Sequence, residues 1–461
     1  MDWAEFELWS QKFATWGREY RETLRDRPVR APLDPGAIMA QLPSNPPETP
    51  ESMDAIFADF EKIILPGMTH WQHPRFFAYF TSNAAPQSVL AEQLAAVMAA
   101  QCMLWQTSPA ATELETRMID WLGQAIGLPS HFSGTLQDGA SGATLAAVLM
   151  MREKATQGQA NARGLAGGPQ LRLYCSNGVH TSIDRAAWFS GIGGDNLVRI
   201  PVTGDMGAMD VDVLRETIHA DRAAGHIPAG IIISVGGTGT GATDDVAACI
   251  ALAKSETIMT HVDAAWAGSA MICPEFRHYW AGIEGADSIV FNPHKWLGAQ
   301  FECAAHFVAN PRDLQDAMAI HPAYLATQNA DEIINYSEWS IGLGRRFRAL
   351  KLWFLLRSEG VDALRTMIRN HVAWSEKVCE ALRVTPGITI VTEPMLSLFT
   401  FALDAGDAAT QSLLDRINDD GRIYITPTKV DGCTVIRFVT GQWEMAEEDA
   451  DLAIKVILEL M

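Results

Sequence analysis

Hydrophobic positions in the N-terminal segment recur at intervals of three and four residues. The spacing predicts a helix over 3–20 with an aromatic face, made of Trp3, Phe6, Trp9, Phe13, Trp16 and Tyr20. So many rings on one helix face need a covering surface. Two interpretations are open: the face packs against its own chain, or it packs against a second subunit.

Three further helices are predicted before the middle of the chain. Thr49, followed by proline, is expected to cap a helix that ends at Gly67. An alanine-rich, buried helix is expected over 86–104. The segment 112–115 has the Thr-x-x-Glu form of a capping box and is expected to open a helix that ends at Gly127.

From about residue 134 onward, short apolar runs alternate with helical patterns such as 209–220 and 243–255. This alternation is typical of an α/β fold with a mostly parallel sheet covered on both faces. The predicted strands are Leu171–Cys175, Asn196–Pro201, Gly230–Val235, Thr257–Val262 and Ser288–Phe291.

The C-terminal part of the chain changes pattern. Long helices are expected over 344–383, followed by a mixture that predicts a smaller α+β domain. Its strands are expected at 388–391, 398–401 and 435–438, and its helices at 409–418 and 446–460.

Charge and cysteine content limit the function classes. The formal net charge is −20, from 35 basic and 55 acidic residues, which disfavours nucleic-acid and anionic-membrane partners. The seven scattered cysteines include no C-x-x-C and favour a reducing, cytoplasmic compartment. No signal peptide, run of 18 apolar residues or metal-binding motif is present, so no membrane span or metal is expected.

The segment 261–298 carries the strongest chemical signal. Asp263 ends one predicted strand and Lys295 follows another, and ligands of open α/β sheets bind at the carboxyl ends of strands. A lysine in an apolar setting can lose its proton and form a Schiff base. A buried acid needs a cationic partner, such as a pyridinium nitrogen. We therefore expect these two residues to hold pyridoxal 5'-phosphate, with the small Ala265 beside its ring.

Two other segments fit this cofactor. The small-residue turn at Gly139 and Ala140 precedes a helical stretch, and such a turn offers backbone N–H groups to a phosphate; an ordinary glycine-rich loop is the alternative. His180 follows a strand at the same sheet edge and could stack on a ring or serve a structural role. The segment 236–241 does not match G-x-G-x-x-G, which disfavours a dinucleotide site.

Taken together, the motifs His-Val-Asp-Ala-Ala-Trp (261–266) and Asn-Pro-His-Lys-Trp (292–296) resemble those of group II pyridoxal-phosphate-dependent decarboxylases, especially the aromatic-L-amino-acid decarboxylases. The resemblance implies fold type I, with a mostly parallel seven-stranded sheet, and a homodimer whose active site lies at the subunit interface. It implies an N-terminal helical dimerisation segment (1–84), a large cofactor-binding α/β domain (85–350) and a small α+β domain (351–461).

The same resemblance implies residue roles. Lys295 would bind the cofactor covalently, Asp263 would pair with the ring nitrogen, and Ala265 and His180 would lie on the two ring faces. The other cofactor positions are Gly139, Ala140, Thr238, Asn292 and His294. Family members often carry serine at position 139, so here only the backbone N–H of the glycine remains.

The reaction type depends on Tyr324, which resembles the catalytic tyrosine of the family's mobile loop and would return a proton after carbon dioxide leaves. Relatives that form aldehydes oxidatively tend to replace this tyrosine with phenylalanine, or the stacking histidine with asparagine. This chain has both Tyr324 and His180, which favours simple decarboxylation over aromatic acetaldehyde synthesis.

The substrate implied by the resemblance is an aromatic L-amino acid. The ring type stays open between indole, phenyl and catechol, because positions 101 and 103 depart from the animal members. Decarboxylation of glutamate or histidine is the alternative, although the aromatic positions offer no cationic group for a second acid. The matching substrate positions are Trp71, Tyr79, Phe80, Thr81, Ser82, Gln101, Met103 and Gly344.

Overall fold

A seven-stranded sheet lies at the centre of this computed structural model, which describes residues 1–320 and 333–461. The strands in chain order are β1 (Ser133–Gln137), β2 (Leu171–Ser176), β3 (Leu197–Ile200), β4 (Val202–Thr203), β5 (Ala208–Met209), β6 (Ile227–Ser234), β7 (Met259–Asp263), β8 (Ser288–Phe291), β9 (Ala304–Val308), β10 (Ile388–Met395), β11 (Leu398–Leu403), β12 (Thr426–Val430) and β13 (Cys433–Val439).

Helices cover both faces of this sheet and extend to the two ends of the chain. They are α1 (Trp3–Glu22), α2 (Met53–Asp59), α3 (Pro86–Met98), α4 (Pro109–Ile126), α5 (Ala140–Ala155), α6 (Ala160–Arg163), α7 (Ser182–Phe189), α8 (Val211–Ala223), α9 (Val246–Glu256), α10 (Pro311–Met318), α11 (Arg348–Arg383), α12 (Asp407–Asp420) and α13 (Glu447–Glu459).

The strand order of the large sheet is β1-β9-β8-β7-β6-β2-β3. Only β9 runs antiparallel to its neighbours β1 and β8, whereas the remaining pairs are parallel. Successive β6 side chains enter different cores, because Ile231 and Ile233 pack in one hydrophobic cluster and Ile232 in another. A mostly parallel sheet covered on both faces is therefore confirmed.

A second, antiparallel sheet has the order β10-β11-β13-β12. Its apolar face packs with α12 and α13 around a cluster that includes Phe399, Phe401 and Phe438. The helix α11 leads to this sheet and changes direction at Gly360, whose φ of 74° departs from helical geometry. Since α11 spans the expected boundary between 350 and 351, the division into three domains stays a prediction.

The aromatic face of α1 is covered by its own chain over only part of its length. Trp9, Phe13 and Trp16 contact Phe57 of α2, so part of the face packs on its own chain. Trp3 at the helix start is 71% exposed. Packing on its own chain is therefore confirmed for part of the face, and packing against a second subunit stays a prediction for the exposed part.

Three predicted helix boundaries were wrong. The second helix begins at Met53, with the Ser52 side chain rather than Thr49 as its cap. The expected capping box at 112–115 lies inside α4, which starts at Pro109. The alanine-rich helix ends at Met98 rather than at 104, because the following residue adopts a left-handed conformation.

Candidate active site

The parallel strands β7 and β8 place the two strongest motifs side by side. Asp263 is the last residue of β7 and pairs with Val290 of β8. Beyond the strand ends, the backbone N–H of Asn292 donates to the carbonyl of Ala265 at 2.8 Å. Lys295 lies three residues further on, so the acid and the lysine meet at the carboxyl edge of the sheet.

One cavity of about 300 Å³ lies at this edge. All nine residues predicted to contact the cofactor line it, together with Phe80. These nine are Gly139, Ala140, His180, Thr238, Asp263, Ala265, Asn292, His294 and Lys295.

Lys295 is partly buried, and its Nζ lies 4.9 Å from the centre of the Phe80 ring. Burial lowers the pKa of its amine to about 8. The negative charge of Asp263 opposes this shift, and the positive charge of Arg437 adds to it. Roughly a tenth of the amine is therefore uncharged at pH 7, far more than for an ordinary lysine, and a nucleophilic lysine requires this uncharged form.

Asp263 is only 8% exposed. One carboxylate oxygen, Oδ1, accepts a hydrogen bond from the backbone N–H of Ala265 at 3.0 Å, which fixes the orientation of the group. A buried carboxylate that lines a cavity is stabilised by a cationic ligand atom. A protonated ring nitrogen would supply that charge.

The part of the cavity lined by Gly139 and Ala140 suits a phosphate. Gly139 precedes α5 directly, and Ala140 is the first residue of this helix, whose N-terminal end favours anions. A Cβ at Gly139 would meet no atom within 4 Å, so a serine would fit at this position. The Asn292 Oδ1 is buried without a hydrogen-bond partner in the described ranges, as expected for a group that contacts a polar ligand.

His180 is suited to stacking on a neutral or cationic ring. Its Nδ1 accepts from the backbone N–H of Ser182 at 3.1 Å, so the proton of the neutral imidazole lies on Nε2. Burial lowers the pKa of this imidazole, and Lys295 lowers it further against the effect of Asp263. The uncharged ring is therefore the dominant form at neutral pH.

His294 lines the same cavity as Lys295. Its Nδ1 accepts from the backbone N–H of Cys303 at 2.9 Å, and its ring packs edge-on against Phe301 at 4.9 Å. Burial, with the charge of Lys295, lowers the pKa of His294 to about 3. The residue is a neutral donor or acceptor at the cavity wall.

The predicted substrate residues fall into separate groups. Phe80 stacks on Trp266 at 4.7 Å in the cavity wall, and the Thr81 hydroxyl donates to the carbonyl of Lys295 at 3.0 Å. Trp71 and Tyr79 stack on each other at 5.7 Å, but they are 40% and 47% exposed and do not line this cavity. The neighbouring Ser82 accepts from Gln72 through its carbonyl.

A further group lies around the segment that contains Gly344. Gln101 Oε1 accepts from the backbone N–H of Arg345 at 2.7 Å, and a Cβ at Gly344 would lie 3.1 Å from Gln101 Nε2. The carbonyl of Met103 accepts from the N–H of Ser337 at 3.0 Å. None of these three predicted residues lines the Lys295 cavity. Tyr324 lies outside the described residues.

Arg437 on β13 was missed by the sequence analysis. It is 3% exposed, and its guanidinium lies 5.3 Å from the centre of the Phe80 ring. It donates to the carbonyl of Tyr79 at 3.0 Å and to that of Gly239 at 3.3 Å. An arginine inside an otherwise apolar predicted strand was the available signal, since buried arginines are rare.

Comparisons with known proteins agree with this geometry. A family model described as the pyridoxal-dependent decarboxylase conserved domain matches residues 35–404. The aromatic-L-amino-acid decarboxylase of Rattus norvegicus is 37% identical, over 100% of this chain and 98% of the relative.

Solved structures give the same result. The tryptophan decarboxylase of Catharanthus roseus in complex with L-tryptophan has a TM-score of 0.94 and 33% identity, covering 100% of this chain and 98% of that one. The 4-hydroxyphenylacetaldehyde synthase of Rhodiola rosea has a TM-score of 0.93 and 32% identity, with the same coverage. The chain therefore belongs to the pyridoxal-dependent decarboxylase family.

Proposed function

We propose that the protein decarboxylates an aromatic L-amino acid of the tryptophan, phenylalanine, tyrosine or dopa type to the corresponding amine and carbon dioxide. The observation that carries the proposal is the single cavity in which Lys295, Asp263 and His180 meet beside the aromatic ring of Phe80. The lining residues suit pyridoxal phosphate, because Asp263 would pair with its ring nitrogen and the turn at Gly139 would hold its phosphate.

When bound, pyridoxal phosphate supplies a protonated ring that takes up the electron pair released with carbon dioxide. The residues of this chain provide everything else. Asp263 would keep the proton on the ring nitrogen, and His180 and Ala265, which line the same cavity, would hold the ring. The orientation of the substrate carboxylate relative to the ring is a large part of catalysis. Phe80 lines the cavity beside Lys295, whereas Thr81 does not line it and instead donates its hydroxyl hydrogen bond to the carbonyl of Lys295.

The aromatic substrate is supported by the Phe80 ring, which lies in the cavity wall. Stacking on such a ring contributes roughly 1 kcal/mol beyond the burial of its area. The full-length relatives include an enzyme named for aromatic L-amino acids and a structure that holds L-tryptophan. Both support an aromatic side chain, and neither selects one ring.

A homodimer with the active site at the subunit interface is part of the proposal. It would explain why Trp71, Tyr79 and Gly344 lie on exposed or separate surfaces instead of in the Lys295 cavity. Helix α3 also exposes an apolar set that a partner would cover, namely Val89, Leu90, Leu94, Val97 and Met98.

The cytoplasm is the compartment that we propose. All seven cysteines are free in the structure, which suits a reducing environment. Across 1–320 and 333–461, no helix combines the length and apolarity needed to cross a bilayer.

A panel of amino acids tests the proposed function. Purified protein is incubated with each L-amino acid, with and without added pyridoxal phosphate, and amine, carbon dioxide, aldehyde and hydrogen peroxide are measured. We expect amine from at least one aromatic substrate. Aldehyde with peroxide would favour an acetaldehyde synthase, and amine from glutamate or histidine alone would overturn the aromatic assignment.

Tyr324→Phe is expected to retain cofactor binding while its product shifts from amine toward aldehyde and ammonia. The phenol is the proposed acid that returns a proton to the substrate carbon, and its loss leaves that carbon open to oxidation. Product analysis under air and under nitrogen checks this result. Tyr336→Phe is the matched control, because that phenol is buried and bonded to Thr116. Unchanged amine output from Tyr324→Phe would contradict the role.

The rate of cofactor uptake by the apoprotein should rise with pH with a midpoint at about 8 and level off above it, because uptake requires the uncharged Lys295 amine, whose pKa is lowered to about 8. Arg437→Gln removes a positive charge that lowers this pKa, so the midpoint should move to higher pH. Stopped-flow absorbance across pH 6–10 measures both curves. A midpoint that moved to lower pH, or stayed unchanged, would refute the electrostatic role of Arg437.

A further inference from the structure

Five buried polar side chains form a continuous hydrogen-bonded series across the large sheet, here called the buried polar chain. It passes from β1 through β9 and β8 to β7, in the order in which these strands adjoin, and ends on α5. Its members are Gln137, His306, Ser288, His261 and Thr144, which are at most 5% exposed.

The distances along the buried polar chain are those of ordinary hydrogen bonds. Gln137 Nε2 lies 3.0 Å from His306 Nδ1, and His306 Nε2 lies 2.8 Å from the Ser288 hydroxyl. The same hydroxyl lies 2.8 Å from His261 Nδ1, and His261 Nε2 lies 3.2 Å from the Thr144 hydroxyl.

The direction of donation along the chain follows from the two imidazoles. Burial lowers the pKa of His306 to about 4 and that of His261 well below its ordinary value, so both rings are neutral. A neutral imidazole has one donor and one acceptor. Because the Gln137 amide N–H donates to His306, each later member donates to the next, as far as Thr144. Every ring nitrogen in the series then has a partner.

The buried polar chain connects the two ends of the cofactor site. Gln137 lies two residues before Gly139, and Thr144 lies in the first turns of α5, so these members flank the predicted phosphate turn. His261 lies two residues before Asp263 on β7. None of the five side chains lines the Lys295 cavity, so any effect on the cofactor is indirect.

We propose that the buried polar chain is a positioning device that fixes the phosphate turn relative to Asp263 and thereby sets the affinity for pyridoxal phosphate. The turn and the acid belong to different elements, α5 and β7, and the cofactor would have to reach both at once. Loss of one link leaves buried donors and acceptors without partners, and neighbouring segments shift to satisfy them. The inference rests on the proposed placement of the cofactor in the Lys295 cavity.

Ser288→Ala tests the proposal, because it removes the hydroxyl that joins the two histidines while deleting a single atom. We expect the dissociation constant of pyridoxal phosphate to rise about 10- to 100-fold, by analogy with outer-shell partners of metal sites. Titration of the apoprotein, followed by absorbance, measures it. Ser288→Thr keeps a hydroxyl and should restore most of the affinity.

Thr260→Val is the matched control. The Thr260 hydroxyl is also buried on β7, but it donates to Asp287 at 3.0 Å and belongs to no part of the chain. We expect a loss of thermal stability comparable to that of Ser288→Ala, with cofactor affinity within about 2-fold of the parent protein. Equal weakening of cofactor binding in Thr260→Val, or unchanged affinity in Ser288→Ala, would overturn the proposal.

Thr144→Val gives a second, isosteric break at the other end of the buried polar chain, should Ser288→Ala not fold. It leaves the donor of His261 without its partner and should weaken cofactor binding in the same direction. A dissociation constant for pyridoxal phosphate equal to that of the parent protein would also overturn the proposal. All of these tests measure cofactor binding alone. If the protein bound pyridoxal phosphate but released no aromatic amine, the proposed substrate would be refuted. The test of the positioning role would still be valid.

Discussion

Lys295→Ala is expected to lower decarboxylation by at least about 1000-fold, as when the nucleophile of a covalent enzyme is removed. The side chain is the only lysine that lines the cavity with Asp263 among residues 1–320 and 333–461. Lys295→Arg should be nearly as inactive, because arginine keeps the charge but does not lose its proton. Amine release under single-turnover conditions measures both variants, and circular dichroism checks their fold.

A second lysine with a lowered pKa shows whether position in the cavity or the pKa alone decides which lysine binds the cofactor covalently. Burial also lowers the pKa of Lys351 to about 8, yet its Nζ contacts Glu92 at 2.7 Å and it does not line the cavity. Borohydride reduction of the holoenzyme, followed by peptide mass spectrometry, should therefore label Lys295 and leave Lys351 unmodified. Labelling of Lys351, or substantial activity in Lys295→Ala, would disprove the assignment.

Much of the fold was predictable because the central strands lie in short, largely apolar runs that have polar or glycine residues at their ends. Strands β7 and β8 are buried along their whole length, and this leaves a clear pattern in the sequence. The flanking strands β1 and β9 were missed. Gly134 in β1 suggests a loop, but a Cβ there would lie 2.3 Å from the carbonyl oxygen of His306, so the glycine permits close approach of the two strands. Gln137 and His306 break the apolar pattern because they belong to the buried polar chain.

The first residue of a helix was predicted wrongly where two local sequence signals competed. Thr112 and Glu115 match a capping box, but Pro109 three residues earlier already fits the first position of a helix. The Thr112 hydroxyl then donates to the carbonyl of Ser108, inside the helix, at 3.1 Å. The sequence pattern could not decide between the two starts, since both use ordinary helix-start residues.

The candidate site was predictable wherever its residues follow a strand in a motif. Asp263, Asn292 and Lys295 are brought together by strand adjacency alone. Arg437 depends instead on the packing of the small antiparallel sheet against the segment that contains Tyr79. Such a contact joins residues more than 350 positions apart, and no local pattern encodes it.

Asp263→Asn is expected to lower the decarboxylation rate by about 1000-fold, the scale on which electrostatic partners contribute at active sites. Asparagine keeps the shape of the side chain and can still accept from the N–H of Ala265, which Asp263 does at 3.0 Å. It cannot hold a proton on the ring nitrogen, since it carries no charge. The loss of decarboxylation rate therefore measures the contribution of the negative charge at Asp263 and does not result from a displacement of the end of β7.

Asp263→Glu separates charge from distance. The longer acid keeps the charge in a cavity of about 300 Å³, so we expect partial activity, above that of the asparagine variant. The absorbance and the dissociation constant of the cofactor are measured together with the rate. They show whether each variant contains bound cofactor. If Asp263→Asn were loaded and as fast as the parent, the ring nitrogen would not need a carboxylate. The buried acid, which is 8% exposed, would then carry its desolvation cost without a catalytic reason.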